Sequence, residues 1–335
     1  MSKNLFYFLI CLGSCLGLAS CDNEVDLLED YREIPVIYGL INPSDTVQYV
    51  RVQKAYLGEG NALVMAQVAD SIYYDPNQIT LSLEKLTVGA NTVVNTQTFS
   101  TTTEFPKEEG LFTDDGHYLF KLATPTGIDD NYYYRLRFRN QQTGKEVTAT
   151  TRIIEPMQFA SFNNSVKVNL ANPNPYQIRF NSPKWGRVFG LIMRIKYNEY
   201  DTVSLSYETK YVDYKLKNVS TLGVNGGEQM TFFLKGDEIF RFMGSAIGPQ
   251  QGSRKRVLNS FRADYLFTAG TDELYNYIQI NSPANVTNYI PAFTNLSDGR
   301  GIFTCRYTTH VDDVAFNELT LDSILNGQYT NIIFK

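Results

Sequence analysis

Cysteine is scarce. Four occur in 335 residues, and three of them, Cys11, Cys15 and Cys21, lie close to the N-terminus. Once residues 1–20 leave as a signal and Cys21 is modified, Cys305 is the one thiol left, and one thiol makes no internal disulfide. Stability then has to come from packing. Histidine is scarce too, at His117 and His310, so there is little imidazole for acid–base or metal chemistry. Beyond the N-terminal segment no apolar run reaches the about 20 residues that a membrane helix needs. Positive charge is not in excess: the formal net charge of −5 becomes −6 when Lys3 goes with the signal. Nucleic acid is therefore not an expected partner. His-Glu-x-x-His, Gly-x-Ser-x-Gly and phosphate-loop motifs do not occur. No cofactor and no metal site are expected.

The first segment carries the clearest signal. Lys3 precedes an apolar stretch from Leu5 to Leu18, and small residues follow at Ala19 and Ser20. These are the three parts of a secretory signal. Cys21 directly after them makes Leu18-Ala19-Ser20-Cys21 a lipobox, with the Cys21 thiol as the nucleophile that accepts diacylglycerol. Anchoring in outer-membrane lipid follows, since each buried CH₂ contributes about 0.8 kcal/mol. The acidic run from Asp22 to Asp30 reads as a tether over residues 21–33, of the kind that directs Bacteroidota lipoproteins to the cell exterior.

From Ile34 onward the pattern is that of short strands. Tyr (23) and Phe (21) are abundant, and strands accept aromatic and β-branched side chains well. Val50 and Val52 share one face and Tyr49 the other; Ile79, Leu81 and Leu83 alternate with polar residues. Tyr132–Phe138 and Glu146–Ile154 flank Asn140–Gly144 as a hairpin. These features predict an immunoglobulin or fibronectin III-like β-sandwich over residues 34–155. Glu155-Pro156 is the expected boundary. Residues 156–335 are expected to form a second β-rich domain, with a strand at Val203–Glu208 and short helices at Asp237–Met243, Asp272–Ile280 and Phe316–Leu325. The chain is thus expected to be all-β with a few short helices.

Candidate binding residues are sparse. Trp185 lies in the turn-rich Ser182–Gly186 loop, where it either stacks on a sugar or anchors a protein, or folds over the sheet edge. Tyr73 and Tyr74, with the loop Gly58–Asn61, are candidates for a binding edge between strands. His117 follows the Asp114-Asp115-Gly116 turn and reads as the start of a strand. Cys305 and His310 are five apart, which in one strand puts them on opposite faces, so Cys305 reads as core. The pairs Asp114-Asp115, Asp129-Asp130 and Asp312-Asp313 lack calcium-loop spacing and read as turns or solvated charge. Arg254-Lys255-Arg256 reads as a solvated loop before a strand at Val257.

Several segments taken in order resemble a known family. They are the lipobox, Ile37-Tyr38-Gly39-Leu40-Ile41-Asn42, Gly116-His117-Tyr118, and Tyr289–Phe303 with Pro291, Thr294-Asn295 and Gly299-Arg300-Gly301-Ile302-Phe303. This pattern resembles the Bacteroidota outer-membrane lipoproteins described as DUF4249, whose function is unknown; Arg300 stands where an apolar residue is expected. The resemblance implies an accessory, non-enzymatic role beside a TonB-dependent transporter and supplies no catalytic residues. The alternatives are a structural or adhesive surface module without a transporter, or a glycan or peptide hydrolase. A retaining glycosidase would need two carboxylates about 5–5.5 Å apart.

Overall fold

In the computed structural model, residues 33–55, 61–281 and 293–334 are described. The signal, Cys21, the acidic run, Gly58–Gly60 and Tyr289–Pro291 lie outside the described residues. The protein is all-β with a few short helices. The first part contains β1 (Pro35–Ile41), β2 (Val47–Lys54), two four-residue helices α1 (Ala62–Met65) and α2 (Ala69–Ile72), β3 (Ile79–Leu86) and β4 (Val93–Thr98). It continues with β5 (Ser100–Thr102), β6 (Leu119–Ala123), β7 (Tyr133–Asn140) and β8 (Glu146–Arg152). The expected hairpin is present: β7 pairs antiparallel with β8. One sheet runs β4-β3-β7-β8, and its partner layer runs β1-β2-β6-β5. Val50 and Val52 from one layer and Leu81, Leu83, Leu136 and Phe138 from the other are buried in one continuous core. The alternation read from the sequence is what puts these residues inside.

The second part contains β9 (Lys167–Val168), β10 (Tyr176–Asn181), β11 (Val188–Asp201), β12 (Ser206–Lys215), β13 (Val219–Ser220), β14 (Gln229–Leu234) and helix α3 (Gly236–Ile247). After these come β15 (Arg254–Arg256), β16 (Arg262–Gly270), α4 (Asp272–Ile280), β17 (Arg300–Phe316) and α5 (Glu318–Asn326). The three longer helices lie where the apolar spacing predicts them. Ile239 and Met243 of α3 are fully buried, and Asn317 caps α5 by accepting from Thr320 N at 3.0 Å. Thr271 precedes α4 but makes no side-chain cap; its hydroxyl pairs with Thr304 instead. The strand expected at Val203–Glu208 is displaced. Residues 202–205 make the turn between β11 and β12, leaving Val203 81% and Leu205 71% exposed. Asp201 Oδ1 accepts from Val203 N and Ser204 N and so fixes that turn.

The sheet does not stop at Glu155-Pro156. One sheet runs β12-β11-β16-β17-β1-β2-β6-β5, so the two parts share a hydrogen-bonded layer rather than meeting only through side chains. The join is a parallel pair of β1 with β17, with Ile37 opposite Gly301 and Gly39 opposite Phe303. Asn295 completes it by giving its side-chain amide to Phe303, accepting from Phe303 N at 3.0 Å and donating to Phe303 O at 2.7 Å. At the far end Asn42 Oδ1 accepts from Thr308 N. Gly39, Gly299, Gly301, Asn295 and Asn42, from the segments that carry the family resemblance, therefore meet along this seam. Their placement has a packing explanation.

Candidate functional site

Trp185 combines an unusual backbone with an open cleft beside it. Its φ is 67°, a left-handed value that is unfavourable for a bulky side chain and is held only where the surroundings dictate it. Here two loops interlock. Trp185 N donates to Val224 O at 2.7 Å, Gly186 N to Pro183 O at 3.1 Å, and Gly227 N to Ser182 O at 2.8 Å. The twist turns the half-buried indole toward the end of β8. The guanidinium of Arg152 lies 3.7 Å from the ring centroid, a close cation–π contact. The same guanidinium lies 5.1 Å from the Tyr133 ring.

Beside the indole opens a cleft of about 390 Å³, lined by Arg152, Arg187, Leu222, Val224, Asp272 and Glu273 among others. Arg187 donates from Nε to Asp272 Oδ1 at 3.3 Å and lies 4.6 Å from the Tyr275 ring centroid. Leu222 stands on the rim at 94% exposure. The walls thus offer an aromatic face, two guanidinium groups, two carboxylates and an apolar lip. That combination suits recognition of a ligand with both an apolar face and hydrogen-bonding groups. Asp272 and Glu273 are adjacent on the first turn of α4, so their side chains leave the helix in different directions.

Trp185 is the only tryptophan in the chain, which turns the cleft into its own reporter. A ligand that displaces Arg152 from the ring is expected to change the intrinsic emission. Trp185→Gly removes the ring and accepts the left-handed φ without strain. We expect that variant to lose the binding signal, measured calorimetrically, while keeping the far-UV circular dichroism of the parent.

The other two residues expected at a binding edge are placed differently. Tyr73 and Tyr74 are 5% and 7% exposed. They form a wall of a wider cleft of about 890 Å³, with Asp70, Asp75, Thr101 and His117 among its other lining residues. Tyr73 donates to Thr113 O at 2.8 Å, and the Tyr74 ring packs 5.3 Å from Phe138. They contribute core packing and ring edges, because α2 turns both inward. His117 sits between this cleft and a neighbouring one with Arg51 and Lys107. Burial pushes its pKa down, and the charges of Arg51 and Lys107 add to that.

The cleft at Trp185 and the cleft at Tyr73 and Tyr74 share no lining residue. Cys305 is fully buried on β17, where burial pushes its thiol up to about 12, while His310 on the same strand is exposed. The basic triplet is corrected in part: Arg254–Arg256 is strand β15, paired to β11 rather than a loop, with Arg254 and Lys255 exposed as expected and Arg256 turned inward. Its side chain is 5% exposed and bonds Glu199 at 3.0 Å. Among the described residues, no group of three or more His, Cys, Asp or Glu side chains is placed to hold a metal ion.

No family model matches the chain, and no curated protein does. Among solved structures, the chain is similar to the C-terminal globular domain of an oligosaccharyltransferase from Pyrococcus abyssi. The identity is 9%, the TM-score 0.27, and the match covers 71% of this chain and 49% of that one. A second similarity is to the four N-terminal immunoglobulin domains of Dscam1 isoform 4.44, at 8% identity and a TM-score of 0.16, covering 72% and 51%. The chain spans about half the length of each.

Proposed function

We propose that the chain is a lipid-anchored, non-enzymatic binding component on the outer face of an outer membrane, where it serves a TonB-dependent transporter. The observation that carries the reading is Cys21 at the end of Leu18-Ala19-Ser20-Cys21, followed by the acidic run to Asp30. The link to a transporter rests on the family resemblance. Twelve chain steps lead from the anchor at Cys21 to the first described residue, Glu33. At most about 3.6 Å per residue, they hold the body within about 43 Å of the bilayer.

The cleft at Trp185 supplies recognition chemistry of the kind such a component needs. Its polar groups come from the end of β8, the 182–187 and 221–228 loops and the start of α4, all carried on a rigid sheet. A site held this way captures a ligand without reorganising.

Cys21→Ala removes the acylated thiol and leaves the described fold untouched. In membrane fractionation we expect the parent in the membrane pellet and the variant in the soluble fraction, with unchanged circular dichroism. A variant that stays with the membrane would refute the anchoring, and the surface role with it.

A further inference from the structure

The edge strand β12 ends the large sheet, and no strand among the described residues pairs with its outer side. It is ten residues long and runs against β11 in unbroken register. Six of its residues are exposed, among them Tyr207 at 66% and Tyr211 at 59%. Long, regular, proline-free edges invite pairing with another strand, and proteins usually shorten, bend or cover them. The edge at the other end of this sheet, β5, is three residues long. The edge strand β4 pairs through an irregular register. β12 has neither protection.

We propose that β12 pairs antiparallel with β12 of a second copy of this chain, about a two-fold axis through Thr209. The sequence of the strand specifies the register. A two-fold axis perpendicular to a sheet keeps each side chain on its own face, so it must pass through a residue position. With the axis at Thr209, Glu208 faces the partner's Lys210 and Lys210 faces the partner's Glu208. Tyr207 faces the partner's Tyr211, again twice, and Ser206 faces the partner's Val212. An axis at Glu208 or Lys210 sets like charges opposite each other, which is unfavourable. Axes at Tyr211, Val212 or Asp213 leave every charge without an opposite-charge partner. An axis at Tyr214 would set Asp213 opposite the partner's Lys215 and Tyr214 opposite itself, but helix α3 packs on the strand there. Thr209 is therefore the position on the uncovered stretch where charge and aromatic matching coincide.

The surroundings suit this pairing. On the outer face Tyr200 already packs on Tyr207 at 5.0 Å between centroids, and Arg194 lies 4.3 Å from the Tyr211 ring centroid. The pair would join these into one row crossing the interface twice. Helix α3 contacts β12 at Tyr214, through Phe242 and Glu238. That lies beyond the Ser206–Val212 stretch that would pair, so α3 leaves the edge clear. A paired edge of seven residues belongs to the small, transient class of interface. Two copies confined to one membrane raise each other's effective concentration.

Cysteine cross-linking in the full-length protein on its membrane tests the register. Opposed residues across antiparallel strands have Cα atoms about 4.5–5.5 Å apart, within disulfide reach. Thr209→Cys is expected to give an oxidant-dependent dimer on a non-reducing gel. Ser206→Cys alone should not, because its partner position is Val212. Ser206→Cys combined with Val212→Cys should restore the band. Tyr207→Glu added to Thr209→Cys is expected to lower the cross-linked fraction at least fivefold. Equal cross-linking from Thr209→Cys and Ser206→Cys, or none from either above the unsubstituted chain, would overturn the proposal. So would a Thr209→Cys band that Tyr207→Glu leaves unchanged.

Discussion

Gly301→Ala is expected to destabilise the protein by at least about 4 kcal/mol, enough to be among the exceptional single substitutions. Two effects combine there. Gly301 has φ +100°, a backbone that L side chains adopt only under strain of about 1–3 kcal/mol. An added Cβ would also stand 2.1 Å from Ile37 O. That oxygen belongs to β1, so neither strand can yield without opening the parallel ladder that joins residues 34–155 to the rest. Domains are typically stable by only about 5–15 kcal/mol. Gly39 faces the same seam from β1, but its Cβ would meet the Phe303 ring at 2.8 Å. A ring can shift, so Gly39→Ala should cost about 1–3 kcal/mol, as overpacking does. Denaturant titration checks the order. A Gly301→Ala loss below about 1 kcal/mol, or one smaller than that of Gly39→Ala, would contradict the seam.

Arg256→Ala is expected to cost about 3 kcal/mol, because it takes one of two close cations and a charged hydrogen bond from the buried Glu199 carboxylate. Glu199 is 6% exposed and bridges Arg256 at 3.0 Å and Lys210 at 2.8 Å. Arg256 also donates to Gly248 O at 2.8 Å, Pro249 O at 3.3 Å and Ile333 O. It thus ties the end of α3 and the C-terminal turn to β11 and β15. Replacing both partners, as Glu199→Leu with Arg256→Met, should cost less than the sum of the two single changes, since neither charge is left alone. The network also sets an acid limit. Burial works to raise the Glu199 pKa, but hydrogen bonds from Lys210 and Arg256 outweigh it and hold it below the usual value. Glu84 behaves alike: burial is outweighed by Arg137 and Arg135. A carboxylate whose folded pKa is depressed stabilises the fold above its unfolded pKa, about 4.3. That contribution is lost as pH falls through the lower folded value. Stability should therefore be flat from neutral pH to about 5 in these groups and fall below about 4.3. Arg256→Ala should shallow that fall, as read from denaturation midpoints across the range.

The strands of the sandwich were legible because alternation is a local property. Val50, Val52, Leu81 and Leu83 declare their faces within a few residues. The helices around Ile239 and Leu274 declare theirs by spacing. The seam was not legible, because a parallel partner lies at no fixed distance along the chain, and nothing near Ile37 points to Gly301. β8 ends at Arg152, four residues before Pro156, but the end of a strand is not the end of a sheet. Arg254–Arg256 misled for a related reason. Three basic residues in a row suggest solvent, and only the fold brings Glu199 and four backbone carbonyls around Arg256. At the cleft, Trp185 could be singled out by rarity and by its turn-rich setting. Its neighbours could not, since Arg152 and Asp272 come from segments far apart in sequence. Tyr73 and Tyr74 are mostly buried by the packing of α2 and still line the wider cleft, a combination that sequence position alone does not give.

The proposed surface-binding role is tested most directly by what remains attached to the full-length protein. Full-length protein, affinity-purified from detergent-solubilised membranes of its own cells, is expected to bring down a large β-barrel transporter. Trp185→Gly should bring down the same barrel if the cleft serves the ligand alone. Repeated recovery of the full-length protein without any β-barrel would contradict the proposed role.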